Sequence, residues 1–224
     1  MSYVETVNPV AAAARPESAR WRQTLTWAGA ATLAVPAAIL LHEAGHLLAH
    51  VWFGFADSTL HYSSATYGVE KAFWQQVNAG NLQAAASLVP LRQAAASIAA
   101  GLFVTYALVI VCCCAAARFR PHPALVALGL ASLMRFPACL PLLFKSLAGR
   151  PLRSGADEVH LATLTGIPPA LLLAAGLLTL VVGVLWLART IPRQTRGPAF
   201  AGLAAGLAVG LVLYLSLLGP WLLP

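Results

Sequence analysis

An all-α polytopic membrane protein of about five transmembrane helices is the fold class this sequence predicts, and three observations carry it. Of 224 residues, 59% are hydrophobic and only 9% are charged, with a mean hydropathy of +0.76; soluble domains carry about 25% charged residues. Five apolar stretches are long enough to cross a hydrocarbon core, which takes about 20 helical residues. The arginines gather in short connections between those stretches, as they do in inner-membrane loops.

The elements follow in order. Residues 1–21 include Glu5, Arg15, Glu17 and Arg20 and have no apolar h-region, so they read as a polar tail rather than a cleavable signal. The spans are expected at 25–53, 88–117, 123–147, 167–188 and 199–218. The first is longer than a crossing needs and contains Pro36, which predicts a tilt or a kink. Pro137 and Pro141 predict a bent or broken third span. In the fifth, Gly202, Gly206 and Gly210 recur every four residues and offer a smooth face for close helix packing. Between the first two spans, 58-STLHYSSATYGV-69 predicts a short membrane-associated β-hairpin. The stretch 70-EKAFWQQVNAGNLQ-83 reads as an interfacial helix or loop with Phe73 and Trp74 at headgroup level. No repeat or linker divides the chain, which reads as a single membrane-embedded domain over 1–224.

The net charge of +7 comes without any basic run interleaved with aromatics, which argues against nucleic acid and for membrane orientation. Arg15, Arg20 and Arg22 precede the first span, Arg118 and Arg120 follow the second, and Arg189, Arg193 and Arg196 follow the fourth. The opposite side receives 54–87, with Asp57, Glu70 and Lys71, and 148–166, where Arg150 and Arg153 mix with Asp157 and Glu158. The positive-inside rule then puts the N-terminus in the cytoplasm. Arg far outnumbers Lys and Ala abounds, which points to a GC-rich bacterial genome, and the expected location is then the bacterial cytoplasmic membrane. Cys112, Cys113, Cys114 and Cys139 lie in apolar segments without a CxxC pair and read as buried free thiols.

Against this background 38-AILLHEAGHLLAHVWF-53 stands out, because ionisable side chains inside a membrane span are costly. His42-Glu43-Ala44-Gly45-His46 is an HExxH motif, and chance places roughly 0.004 of these in such a chain. Residues i and i+4 share a helical face, so both imidazoles can reach one ion while Glu43 stands beside it to handle a proton. Zn2+ suits two imidazoles and a carboxylate with a fourth position for water. Among later residues Asp157 ranks first as third ligand, because it lies on the same expected side as HEAGH; Glu158 and His160 come next. His61 and His50 are weaker, and His50, about 80° around the helix from His42, reads as a hydrogen-bonded or interfacial residue. Arg135 is the other charge deep in a span, and it should face the interior and pair with Asp157, Glu158 or Glu43.

An HExGH sequence in a transmembrane helix, with an aspartate about 110 residues later, resembles the site-2 protease family of intramembrane zinc metalloproteases. The resemblance implies His42, His46 and Asp157 as metal ligands and Glu43 as catalytic base, with membrane-protein or peptide substrates cleaved within or near the bilayer. The run 98-IAAGLF-103 resembles the family's Ala-Ala-Gly-Pro stretch but lacks its proline. Ala156-Asp157-Glu158 stands where the family has a Leu-Asp-Gly context, and the expected site faces outward rather than toward the cytosol. These departures mark a divergent, minimal member. The competing reading is a non-catalytic metal-binding or scaffold membrane protein; a transporter is disfavoured by the lack of duplicated halves.

Overall fold

The computed structural model describes residues 17–119, 121–152 and 155–223; the sequence readings placed on residues 1–16, Arg120 and Arg153 lie outside them. The chain is an all-α polytopic membrane protein, with five helical segments long and apolar enough to cross a membrane. No water is at hand in a hydrocarbon core, so a spanning backbone must satisfy its own N–H and C=O groups, which a helix does.

The first span is α1 (Glu17–Trp52), which begins inside the stretch expected to be a tail and runs 36 residues through Pro36. The proline does not interrupt it. A proline leaves the carbonyl four residues back without its partner, here Thr32. A small antiparallel ladder follows, β1 (Thr59–Leu60) with β2 (Ala65–Thr66), pairing Thr59 with Thr66 and Leu60 with Ala65. The predicted hairpin exists but holds only two residues per strand. Asp57, at φ 53°, and Gly54, at φ 70°, turn the chain into it.

Next come α2 (Glu70–Asn78) and α3 (Leu82–Leu88), separated by Gly80 at φ 76°. Asn81 caps α3, its side chain accepting from the Ala84 N–H at 3.2 Å. Phe73 and Trp74, expected at headgroup level, both pack on protein. Phe73 is fully buried in a small core with Tyr67, Val77, Ala85, Val89 and Ala94, and Trp74 packs against that core. The amphipathic pattern of α2 turns its apolar stripe inward, onto protein rather than lipid.

The second span is α4 (Leu91–Arg118), and the third is broken as its prolines predicted. It comprises α5 (Pro123–Leu133), a 3₁₀ turn at Phe136–Ala138, and α6 (Cys139–Leu147). A short helix, α7 (Asp157–Thr165), ends at Gly166 in the left-handed region, φ 74°; Pro168 and Pro169 then open α8 (Pro169–Thr190). The last span runs from α9 (Arg196–Leu213) through a π-helical turn at Tyr214–Leu218 to α10 (Gly219–Leu222), beyond both limits read from sequence.

Gly202, Gly206 and Gly210 of α9 do face another helix closely. A β-carbon on Gly206 would collide with the Ala28 backbone of α1, and one on Gly210 would sit 2.8 Å from the Thr32 carbonyl oxygen. Thr32 Oγ1 in turn donates to the Gly206 carbonyl at 3.2 Å. The carbonyl freed by Pro36 therefore meets glycine backbone, where weak Cα–H contacts are available. The main core gathers Trp27, Val35, Leu133, Phe136, Leu173, Leu187 and Leu203 between α1, α5, α8 and α9. All four cysteines are free thiols, but Cys114 lies exposed rather than buried. The C-terminal half of α1 is left facing α4 and α7, and there the ionisable side chains meet.

Candidate metal centre

Residues four apart on a helix lie one above the other on a single face, and α4 meets His42 and His46 with such a row: Ser97, Gly101 and Thr105. Gly45 on α1 and Gly101 on α4 bring the two backbones together; a β-carbon on either would strike the opposite helix. The close approach puts carbonyl oxygens of α4 within reach of the imidazoles. His42 Nδ1–H donates to the Gly101 carbonyl at 2.8 Å, with Thr105 Oγ1 also at 2.8 Å. His46 Nδ1–H donates to the Ser97 carbonyl at 2.9 Å.

A carbonyl only accepts, so both Nδ1 atoms carry the proton and both Nε2 atoms present a bare lone pair. Those lone pairs face each other, His42 Nε2 to His46 Nε2 being 3.1 Å. Asp157, at the start of α7, brings its Oδ2 to 3.0 Å from His42 Nε2 and 3.4 Å from His46 Nε2. Ligand bonds of 2.0–2.1 Å in a tetrahedral zinc site put ligand atoms about 3.3 Å apart, and this triangle has such edges. His42, His46 and Asp157 form a group that could hold a metal ion. Three unprotonated acceptors repel one another unless a cation lies between them, so the donor set fits the ion.

In the structure the nearest cation is Arg135, at the break in the third span. Its Nη2 donates to Asp157 Oδ2 at 2.8 Å, and its Nη1 lies against the His42 ring, 2.6 Å from Nε2 and 2.9 Å from Nδ1. Glu158 Oε2 lies 3.6 Å from Nη2. Arg135 therefore faces the interior and pairs with Asp157, with Glu158 behind it. Burial works against the Asp157 carboxylate, but the charge of the Arg135 guanidinium beside it outweighs that and holds its pKa well below the usual range.

The remaining candidates lie elsewhere. Glu158 is 3% exposed and addresses Arg135 rather than the histidines. His160 stacks on Trp74 with ring centroids 3.9 Å apart; burial lowers its pKa against the pull of Asp157. His61 Nε2 is 3.2 Å from Thr66 Oγ1 within the hairpin. His50 is not hydrogen-bonded through its Nδ1 among the described residues. It is buried between Phe55 and Tyr67, ring centroids 5.4 and 4.9 Å away, because the chain folds back over the end of α1. Sequence reading missed Ser97, Gly101 and Thr105 as the groups that orient the imidazoles. Their signal was small residues four apart in the second span.

No protein-family model, curated protein or solved structure matches the chain.

Two cavities meet at this cluster, and Glu43 and Asp157 line both. One, of about 310 Å³, is walled by Val35, Ala38, Ile39, Ala131, Met134 and Leu211 together with His42 and Arg135. The other, of about 190 Å³, lies under the hairpin and is lined by His46, His50, Ser63, Ser64, Glu70 and His160. Apolar side chains can reach the cluster from one side and polar groups from the other.

Proposed function

We propose that the chain is an intramembrane zinc metalloendopeptidase of the site-2 protease kind, hydrolysing peptide bonds of membrane-protein substrates. The observation that carries the reading is the convergence of His42 Nε2, His46 Nε2 and Asp157 Oδ2, with edges of 3.0 to 3.4 Å, at a cavity shared with Glu43. Two imidazoles and a carboxylate from two helices are the donor set of a catalytic zinc site that keeps a position open. Zinc, when bound, supplies a Lewis acid that polarises a carbonyl and makes water nucleophilic near neutral pH.

The chain's own residues supply the rest. Glu43 takes the proton of the attacking water and returns it to the leaving nitrogen, so one water is consumed and a carboxylic acid and an amine are released. The Ser97 and Gly101 carbonyls hold the imidazoles in the tautomer that leaves Nε2 free. The apolar cavity accepts side chains of a membrane segment, and an unwound stretch of that segment can add to the β1–β2 hairpin by main-chain hydrogen bonds. The arginines favour a cytoplasmic N-terminus in a bacterial cytoplasmic membrane.

One observation favours the second reading, a metal-binding scaffold without catalysis: the Arg135 guanidinium contacts two of the three ligand atoms. The test that separates them is Glu43→Gln in purified protein. A panel of single-span peptides with helix-breaking centres is incubated in detergent with zinc, and products are read by mass spectrometry. Cleavage by the wild type and its loss in Glu43→Gln, with zinc still bound, is the expected result. Cleavage unchanged by the substitution rejects the enzyme reading, and no cleavage by a zinc-loaded wild type favours the scaffold.

A further inference from the structure

The two cavities that meet at the cluster differ in charge. The larger has apolar walls and holds the cation Arg135. The smaller, of about 190 Å³, is lined by Glu43, Glu70 and Asp157 and, among the described residues, by no lysine or arginine. Those three carboxylates sum to a formal charge of −3, and a divalent ion at the cluster offsets two. One negative charge is left over. Glu70 lies partly buried at the start of α2, and no cation pairs with it among the described residues. Lys71 beside it is exposed and does not line the cavity. Burial raises the Glu70 pKa, as it does for a carboxylate drawn from water without a counter-charge.

A second group lining the cavity calls for the same occupant. His50 is 4% exposed, and its Nδ1 is buried with no hydrogen-bond partner among the described residues. A buried nitrogen left in this way costs free energy, which a donor entering the cavity recovers. With the ring protonated on Nε2, the Nδ1 lone pair accepts. Tyr67 and Trp74 add aromatic faces to the wall, and such faces attract cations. The occupant is not a second metal ion. Among the described residues only His42, His46 and Asp157 bring three ligand atoms close enough together. An ammonium suits the place better, since it has three donors, no acceptor and a slender stem.

We propose that the cavity under the hairpin is a subsite for a substrate lysine next to the cleaved bond, with Glu70 as its counter-charge and His50 as an acceptor. This rests on the protease reading given above. Glu43 and Asp157 line both cavities, so a backbone lying at the cluster can send one side chain into each. Arg135 repels a basic side chain from the apolar cavity, and the two cavities together fix the direction in which a substrate lies. The substrate class is a membrane segment cleaved where its apolar run meets a basic residue.

Peptides that the full chain cleaves are remade with lysine, norleucine or glutamate on either side of the scissile bond, and kcat/KM is read for each. On one side lysine is expected to exceed norleucine about tenfold or more. That ratio falls to near one in Glu70→Gln, and glutamate becomes the preferred residue in Glu70→Lys. Equal rates for lysine and norleucine on both sides in the wild type overturn the subsite, whether or not the variants fold. A lysine preference undiminished in Glu70→Gln also overturns it. Binding is read without cleavage from the ¹⁵N resonances of His50 in zinc-loaded protein. Nα-acetyl-lysine methylamide is expected to move them, its norleucine analogue is not, and the shift is lost in Glu70→Gln. No shift with the lysine probe rejects the pocket. A shift without cleavage of any peptide removes the protease reading and keeps the cation pocket, so the two failures are told apart. A shift with alanine methylamide, whose one cation is its amino terminus, and no lysine preference would assign the cavity to the released amine and overturn the side-chain subsite.

Discussion

Gly101 of α4 lies so near the His46 imidazole of α1 that a β-carbon there would fall on the ring. The same glycine offers its carbonyl to His42 at 2.8 Å, so one small residue both admits one ligand and orients the other. Gly101→Ala is therefore expected to displace His46, lower zinc affinity by about 10–100-fold, and cost about 1–3 kcal/mol through overpacking. Isothermal titration with zinc and thermal melting of the purified protein measure the two effects; wild-type affinity in this variant would rule out the proposed role of the glycine.

Thr105 supplies only a second acceptor to His42 Nδ1, beside the Gly101 carbonyl. Thr105→Val is isosteric and leaves the carbonyl in place, so its zinc affinity should fall by no more than about tenfold, the low end for residues that orient a ligand. A loss as large as that of Gly101→Ala would show that the hydroxyl, not the carbonyl, fixes the tautomer.

Helix α9 leans on α1 through glycine backbone, and at Gly206 the obstructing atoms are Ala28 backbone, which cannot swing aside. Gly206→Ala should destabilise the protein by about 1–3 kcal/mol, seen as a lowered midpoint of thermal unfolding in detergent. Gly197→Ala, on the same helix with open space around it, serves as the control and should melt like the wild type. Equal melting of both variants would contradict the close α1–α9 packing.

Glu70 borders the polar cavity under the hairpin. Burial raises its pKa above the ordinary glutamate range, against hydrogen bonds to Trp74 and Tyr67 that lower it. A carboxyl whose folded pKa exceeds its unfolded value destabilises the fold when ionised, and the penalty vanishes as pH falls below the unfolded value. Glu70→Gln is accordingly expected to melt higher than wild type near neutral pH and to match it at pH below about 4. A variant less stable than wild type at neutral pH would show that the Trp74 contact outweighs burial.

Much of this arrangement was legible in the sequence, for reasons particular residues make plain. Five apolar runs read as spans because length alone meets the bilayer's demand. The HExxH spacing puts His42 and His46 on one face whatever surrounds them, and scarcity of acidic residues left Asp157 as the leading third member of the cluster. Pro36 leaves α1 unbroken, because a neighbouring glycine helix accommodates the freed Thr32 carbonyl. The packing partners of Phe73 and Trp74 were not legible, because an aromatic that faces lipid and one that faces a small protein core have the same local pattern. The orienting carbonyls of Ser97 and Gly101 were invisible as chemistry, since a backbone group carries no residue-type signature. The Arg135–Asp157 pair was foreseeable only as a set of alternatives: burial cost demands a carboxylate without saying which.

The metal content of the purified protein tests the central claim most directly. One zinc per chain is expected in the wild type, in Glu43→Gln and in Glu158→Ala under zinc excess, and none above background in His46→Ala or Asp157→Ala. Absence of stoichiometric zinc from the wild type, or its full retention in Asp157→Ala, would contradict a site built from His42, His46 and Asp157.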